Sequence, residues 1–290
     1  MLRNRTYSKR ASASASDGRI QAYGTSSGLY LSQDYGATWS QIYTNGVSQV
    51  LFTKNSILII SYGGGVYQSF DNGQNWLLRI SGLQFKKINV SSNGNNVCVV
   101  KSNDCYISTD EGETFTFTSN SEIMNAYCFN DGRVLTITRD GYSTVSINID
   151  GVTKLSISSK VVYSIATSSN ELYIAVVIGG IYLSSDGGNT FSKTNYSDTT
   201  LRCMAMSDNA RYITAPSYSS KYVYTSNDYG TTWEQISTSL PNLVQAAMSG
   251  DGKYQLLSCN GNFNILASSD YGATWTKKNT DKNVYCVAIK

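Results

Sequence analysis

The chain has 290 residues, a formal net charge of +3, only 15% charged residues and no His. Without His it cannot use Ser-His-Asp or Cys-His catalysis or His-ligated zinc, and its few charges form no basic stripe of the kind that binds nucleic acid. No apolar stretch approaches the roughly 20 residues that span a bilayer. We therefore expect neither a nucleic-acid partner nor membrane insertion.

The chain begins with a basic segment, residues 1–9, which is predicted to be an N-terminal tail. This segment lacks the apolar core of a secretory signal, so we expect synthesis in the cytoplasm and leave the final location open. Residues 10–290 carry repeats with no linker between them, which predicts a single domain. Its first strand candidate is Ala11–Ser16, whose small residues suit a crowded inner strand.

The first complete repeat contains a strand-like run, Gly28–Leu31, followed by an octapeptide of the form Ser-x-Asp-x-Gly-x-Thr-Trp at residues 32–39 and by a second run, Ser40–Ile42. Aromatic and β-branched residues bounded by Gly, Asn, Asp and Ser predict strand, turn and strand. The Asp of the turn can accept hydrogen bonds from nearby backbone amides. The aromatic residue that ends the octapeptide is expected to be buried between sheets.

The octapeptide recurs from position 32 at positions 69, 108, 148, 184, 226 and 268, with spacings of 36 to 42 residues. The copy at residues 148–155 is degenerate: it keeps Asp150 but lacks the Gly and the aromatic residue of the motif. The complete copies share an Asp, a Gly and an aromatic residue, which are Asp34, Gly36 and Trp39; Asp71, Gly73 and Trp76; Asp110, Gly112 and Phe115; Asp186, Gly188 and Phe191; Asp228, Gly230 and Trp233; and Asp270, Gly272 and Trp275. A period near forty residues is typical of radial β-repeats.

Each octapeptide follows an inner-strand candidate and a hairpin signal, as in Ala246–Met248 before Asp251-Gly252. Four antiparallel strands in about forty residues make one blade of a propeller. The sequence therefore predicts an all-β, seven-bladed β-propeller of four-stranded blades, with the fourth blade the least regular. The last strand, Val284–Ile289, is predicted to close the ring on the first blade. Whether it replaces or flanks the Ala11–Ser16 strand stays open at this point.

Six cysteines lie mostly within strand-like runs and form no Cys-x-x-Cys pair. We expect them to be buried free thiols that act as small apolar residues. Cys98 and Cys105 flank a tight turn and could face one another, although the fold requires no disulfide. Each octapeptide offers one carboxylate, whereas calcium loops gather several. No metal or cofactor is expected.

The repeated Ser-x-Asp-x-Gly-x-Thr-Trp phrase resembles the Asp-box, or BNR, repeat of sialidases, sortilin-type receptors, some glycoside hydrolases and photosystem II assembly factors. The resemblance implies that the octapeptides join the third and fourth strands of each blade, away from the ligand-binding face. A sialidase also needs an arginine triad and an Arg-Ile-Pro signature. That signature is missing here, and nothing marks Arg79, Arg139 and Arg202 as a triad. We therefore expect a non-catalytic member of the group.

Loops on the face opposite the octapeptides are expected to bind the ligand. Aromatic, acidic and amide residues are predicted at this rim, namely Tyr43, Tyr62, Asp104, Tyr142, Tyr196, Tyr218, Tyr222 and Asn262. Such residues suit protein or sugar recognition, but they are also ordinary occupants of β-turns.

The predicted function is a structural or protein-interaction module with a protein partner. The abundance of Ser, Thr, Asn and Tyr resembles repeat proteins of large DNA viruses and phages, which suggests a virion component. One alternative is a lectin-like propeller that binds glycans in host or surface recognition. A multivalent lectin would repeat its sugar-binding residues from blade to blade, and the rim loops do not. A second alternative, a sialidase-type glycosidase, lacks the expected catalytic residues.

Overall fold

A computed structural model describes residues 17–119, 122–140, 144–158, 163–196, 200–238, 241–259, 264–280 and 283–290. They form 28 β-strands in seven antiparallel sheets of four strands each, and the described residues contain no helix. The predicted seven-bladed β-propeller is therefore confirmed. Among these residues, no helix is long and apolar enough to cross a membrane.

Each blade runs from an inner strand at the ring axis to an outer strand at the perimeter. The inner strands are β4 (Val47–Phe52), β8 (Phe85–Val90), β12 (Ile123–Cys128), β16 (Ser164–Thr167), β20 (Ala205–Met206), β24 (Leu243–Met248) and β28 (Val284–Ile289). The second strands are β1 (Gln21–Thr25), β5 (Ile57–Ser61), β9 (Val97–Lys101), β13 (Val134–Asp140), β17 (Ile174–Val177), β21 (Ile213–Pro216) and β25 (Gln255–Cys259).

The outer half of each blade consists of two further strands. The third strands are β2 (Gly28–Ser32), β6 (Gly65–Ser69), β10 (Asp104–Ser108), β14 (Thr144–Ile149), β18 (Ile181–Ser184), β22 (Tyr222–Ser226) and β26 (Asn264–Ser268). The fourth, outer strands are β3 (Ser40–Tyr43), β7 (Leu77–Ser81), β11 (Thr116–Ser119), β15 (Val152–Ser158), β19 (Ser192–Lys193), β23 (Glu234–Ser237) and β27 (Thr276–Asn279). Blade 1 contains β28 and β1 to β3, and blades 2 to 7 follow in chain order.

The hydrophobic core lies between the blades, as seven clusters with one at each blade-to-blade interface. Second strands such as β5 are buried along their whole length, because both faces pack on a neighbouring blade. Outer strands such as β3 are exposed or half-buried. The continuous apolar run Ile57–Ile60 is thus explained by burial on two sides.

The C-terminal strand closes the ring. β28 pairs antiparallel with β1, from Gln21 opposite Ile289 to Thr25 opposite Val284. Closure on the first blade is as the sequence predicted, and the structure places β28 at the inner position of that blade. The other candidate for that position, Ala11–Ser16, lies outside the described residues. Closure removes the two sheet edges that an open ring would leave unpaired.

The fourth blade is more regular than expected, so this prediction was wrong. Its strands β13 and β15 have seven residues each, whereas β19 and β20 in the next two blades have only two. The degenerate octapeptide forms a two-residue turn, in which Asp150 and Gly151 have φ angles of 49° and 79°. Such a turn matches the twist of the flanking strands. The ladder therefore continues, with one register shift between Ile147 and Asn148, to Ile149 opposite Val152.

The cysteine pairing also differs from the sequence prediction. Cys98 forms a disulfide with Cys128, which links β9 of blade 3 to β12 of blade 4 across a Cα–Cα distance of 5.9 Å. Cys98 stands opposite Ile107 in its hairpin, while Cys105 stands opposite Val100, so Cys98 and Cys105 are out of register. Cys105, Cys203, Cys259 and Cys286 are buried free thiols, as predicted.

We predict that the double substitution Cys98→Ala/Cys128→Ala lowers the free energy of unfolding by about 2–4 kcal/mol, because it frees a 30-residue loop in the unfolded chain. Denaturant titration with and without reductant would measure the change. Reductant should destabilise the wild type and leave the double variant unchanged. Cys105→Ala, a buried thiol in the same cluster, is the matched control and should retain the response to reductant.

Candidate functional site

In six blades an octapeptide forms the turn between the third and the fourth strand, as the family resemblance implied. Its Ser hydroxyl donates to the Asp carboxylate and accepts a hydrogen bond from the Gly amide, at 2.8 and 2.9 Å for Ser32, Asp34 and Gly36. The same carboxylate accepts the amide and the hydroxyl of Thr38 at 2.9 and 2.6 Å. Equivalent contacts recur in the other five copies, with Asn75 in place of Thr in blade 2.

These hydrogen bonds lower the pKa of the octapeptide carboxylates. The side-chain and backbone bonds from Thr38 lower the pKa of Asp34 to about 2, and the backbone and side-chain bonds from Thr190 do the same for Asp186. Each Asp thus makes the predicted bond to a nearby backbone amide, and its oxygens are engaged within its own turn. Among the described residues, no three His, Cys, Asp or Glu side chains cluster as a metal site requires.

The octapeptide Gly and aromatic residues pack each turn on its neighbourhood. At Gly112, φ is 89° and a Cβ would lie 2.9 Å from Leu58 Cδ1 of the preceding blade, so a side chain is excluded on both counts. Trp76 Nε1 donates to Ile42 O at 3.1 Å, and its ring lies 5.1 Å from that of Tyr43. The turn of blade 2 is thereby fastened to blade 1.

The octapeptide tryptophans are half-buried, which corrects the prediction that they are buried between blades. Each packs against the core cluster at an interface but sits at the start of an outer strand, where the perimeter is open to solvent. The four residues are Trp39, Trp76, Trp233 and Trp275. Phe115 and Phe191 are half-buried in the same way.

We predict that Trp76→Ala lowers the free energy of unfolding by about 3 kcal/mol, near the lower end for a core tryptophan because the ring is half-buried. Thermal and denaturant unfolding would measure the change. Leu77→Ala, at the adjacent position with 51% of its surface exposed, is the control and should change stability by less than about 0.5 kcal/mol. Equal effects of the two substitutions would contradict an interblade role for Trp76.

We also predict that the octapeptide carboxylates make stability depend on pH in the acid range. The pKa of Asp186 is about 2 when folded against an ordinary value of 3.8, so its contribution is fully present above pH 3.8 and is lost as the pH falls towards 2. Denaturation midpoints should therefore fall between pH 4 and pH 2 in the wild type. The decline should be shallower in Asp186→Asn, and an identical profile would count against the prediction.

Tyrosine pairs connect neighbouring blades on the octapeptide face. Tyr35, Tyr229 and Tyr271 follow the Asp of their octapeptides, and each packs on a tyrosine of an adjacent blade; the pairs of Tyr229 and Tyr271 are stacked and that of Tyr35 is tilted. The ring centroids of Tyr212 and Tyr271, for example, are 4.7 Å apart. This aromatic pattern does repeat from blade to blade, and its contacts are those of interblade packing.

A buried carboxylate ties three blades together on the same face. Glu171, in the turn after β16, is only 5% exposed and accepts hydrogen bonds from Tyr127 Oη at 2.9 Å and Asn130 N at 2.8 Å. Ser92 of blade 3 donates to it as well. Burial, and then the charge of Glu171, raise the pKa of Tyr127. The Glu171 carboxylate is hydrogen-bonded on both oxygens, which is typical of a structural role, and no sequence pattern predicted this network.

On the opposite face, the predicted rim residues fall into four groups. Tyr43 and Tyr196 are half-buried and pack into blade interfaces, Tyr43 beside Trp76 and Tyr196 with its ring 4.3 Å from that of Tyr224. Asp104 begins β10 at a tight hairpin. Tyr142 and Asn262 lie outside the described residues.

The remaining three, Tyr62, Tyr218 and Tyr222, lie in or beside loops of this face. Tyr62 is 53% exposed and meets Tyr285 edge-on at 5.7 Å. The guanidinium of Arg202 lies 3.5 Å from the centre of the Tyr218 ring and 5.5 Å from that of Tyr163. We call the residues Tyr62, Tyr163, Arg202, Tyr218 and Tyr285 the tyrosine face.

An axial channel opens beside the tyrosine face. It is a cavity of about 410 Å³ lined by the inner strands of all seven blades, with Tyr163 and Tyr285 in its wall. Lys87 is its one charged residue among those described, and burial there lowers the pKa of this lysine. Sequence reasoning missed Lys87, Tyr163 and Tyr285. A lysine inside an inner-strand segment was the available signal for the first.

No protein-family model matches the chain, and no curated protein matches it. Solved structures resemble it in fold. Hydrazine synthase of Kuenenia stuttgartiensis has a TM-score of 0.62 and 12% identity over 94% of this chain and 99% of that chain. YCF48 bound to D1 peptide has a TM-score of 0.60 and 14% identity over 88% of each chain.

An ancestral GH74 enzyme has a TM-score of 0.59 and 17% identity, over 97% of this chain but only 40% of that chain. The TM-scores show a shared β-propeller fold, and at these identities the likeness shows the fold alone. The neighbours include a peptide-bound protein and glycosidase-type enzymes.

Proposed function

We propose that this propeller is a non-catalytic protein-interaction module whose partner binds the tyrosine face. The observation that carries the proposal is the Arg202 guanidinium stacked on the Tyr218 ring, on the face that also carries the exposed Tyr62. Tyrosine and arginine are enriched at protein interfaces, where large rings supply contact area and guanidinium groups supply directed hydrogen bonds. Leu83, which is 66% exposed in the loop after β7, adds apolar surface to the same face.

Two further points support this proposal. A neighbour in fold, YCF48, is seen with a bound peptide, so a propeller of this shape is able to present a peptide-binding surface. In addition, the described residues that line the axial channel include no carboxylate pair of the kind that glycoside hydrolysis uses. We propose as well that the octapeptides are Asp-box turns, because of their sequence and their position between the third and fourth strands.

The lectin-like alternative is supported by one observation, the exposed rings of Tyr62 and Tyr222, on which a sugar could stack. Against it, the tyrosine face does not repeat from blade to blade, as a multivalent lectin would. A role as a virion component is supported by the composition of the chain and stays a prediction.

We predict that peptides selected on the wild-type protein from a displayed random library lose affinity when the tyrosine face is changed. We expect the dissociation constant to rise about tenfold in each of three variants, as is typical for central interface residues. The variants are Tyr62→Ala, Tyr218→Ala and Arg202→Ala. Tyr35→Ala and Tyr271→Ala are matched controls, because both tyrosines are exposed on the octapeptide face. They should leave the affinity unchanged.

Loss of binding only in the two control variants would place the partner on the octapeptide face and contradict the proposal. A reproducible glycan-array signal that disappears in Tyr62→Ala or Tyr222→Ala would favour the lectin-like alternative. Turnover of fluorogenic glycosides, including sialosides, would contradict the non-catalytic assignment.

A further inference from the structure

Four polar side chains meet at one level of the axial channel. In four inner strands a β-bulge follows the first residue, and the next paired residue is Gln49, Lys87, Asn125 or Gln245. All four line the channel. Because they hold the same register position in blades 2, 3, 4 and 7, they form part of a ring at one height.

Two of the amides in this ring have a fixed orientation that leaves donors free. Asn125 is only 2% exposed, and its Oδ1 accepts hydrogen bonds from Asn89 Nδ2 at 2.8 Å and from the Ala126 amide at 2.9 Å. Gln245 Oε1 accepts a bond from Val287 N at 3.1 Å. Their NH₂ groups have no hydrogen-bond partner among the described residues. The amide nitrogens of Asn125 and Gln245 are therefore available to an acceptor in the channel.

Lys87 brings an amine without a charged partner to the same level, and because burial lowers its pKa, a counter-ion there would favour its charged form. Among the described residues, its ammonium has neither a hydrogen bond nor an ion pair, and the channel lining includes no Asp or Glu. Cys203, on the far side of the ring, interacts with it electrostatically, but burial raises the pKa of that thiol to about 12. The thiol is thus neutral near pH 7 and cannot balance the lysine. An unpaired cation in a confined site is unfavourable unless a counter-ion joins it.

We propose that the axial channel binds a carboxylate, with the Lys87 ammonium as counter-ion and the NH₂ groups of Asn125 and Gln245 as additional donors. A monoanion matches the single positive charge, whereas a phosphate dianion would leave one negative charge unbalanced. Charge-assisted hydrogen bonds to a carboxylate are stronger than neutral ones. The cavity of about 410 Å³ accommodates either a small free acid or the carboxylate of an inserted peptide. This site is independent of the tyrosine-face proposal, since it requires no protein partner.

Acetate is the first probe, titrated as the ¹³C-labelled sodium salt at constant ionic strength and followed by NMR line broadening. Lys87→Gln should weaken acetate binding by about tenfold, because the charge-assisted contact is lost. Blades 2 and 7 already have Gln at the equivalent position, so the substitution suits the fold. The matched control is Lys86→Gln, at the position on β8 that precedes Lys87. Lys86 is exposed and donates to Asn103 at 2.9 Å, so its removal changes net charge equally and should leave acetate binding unchanged.

Asn125→Asp is the second variant and protects the test against a folding defect in the first. The substitution keeps the acceptor oxygen used by Asn89 and gives Lys87 an internal counter-ion, so the folded protein should lose acetate binding. The control is Asn103→Asp on the exposed hairpin. Equal acetate binding by the wild type and by either channel variant would overturn the proposal.

A pair of Gly-Ser pentapeptides, one with a free terminal carboxylate and one amidated, distinguishes the source of the carboxylate. Lys87-dependent binding of the free acid but not of the amide supports an inserted peptide terminus. Lys87-dependent binding of acetate alone supports a small free acid. If neither probe binds in a Lys87-dependent manner, the proposal is wrong, while the effect of Arg202→Ala on selected peptides would still test the tyrosine face separately.

Discussion

The structure depends on one constraint: each sheet must bury both of its faces, and only another blade can cover them. Second strands such as β5 are buried along their whole length, and the seven core clusters all lie between blades. No blade therefore has a core of its own. The pairing of Val284–Ile289 with Gln21–Thr25 completes the ring, because it supplies the inner strand on which the last and first interfaces pack.

The same constraint explains why the two faces of the disc differ. Turns between the third and fourth strands lie at the blade interfaces, where the octapeptides fasten one blade to the next through Trp76 and its counterparts. Their sequence repeats because their structural task repeats. The loops of the opposite face carry no such task, so single features such as the Arg202–Tyr218 stack occur there once. A surface without repetition suits an asymmetric partner.

The inner strands create the third environment of the molecule. Their outward edges pair within the blades, while their polar side chains converge on the axis. The Gln49 side chain bonds to the neighbouring inner strand, since its Oε1 accepts a hydrogen bond from Ile88 N at 2.8 Å. Lys87 occupies the equivalent place in blade 3 with a charge instead of an amide. A position that serves interblade bonding in one repeat thus becomes a binding position in another.

The octapeptide spacing and the apolar runs determined the propeller, its blade count and the location of the turns, because each follows from a pattern within about forty residues of chain. The closing strand pairs distant parts of the chain, and it was predictable because Val284–Ile289 is similar to the inner-strand runs of the other blades. Other features depend on which residues of different blades meet, and only the tertiary structure decided them. The Cys98–Cys128 disulfide followed from the packing of β9 on β12. Tyr43 and Tyr196 pack inwards for the same reason. The regular fourth blade is different, because the Asp150-Gly151 turn that makes it regular is a local hairpin signal already present in the sequence. The convergence of Lys87, Asn125 and Gln245 at the axis joins residues up to 158 positions apart in sequence, a distance over which no local pattern carries information.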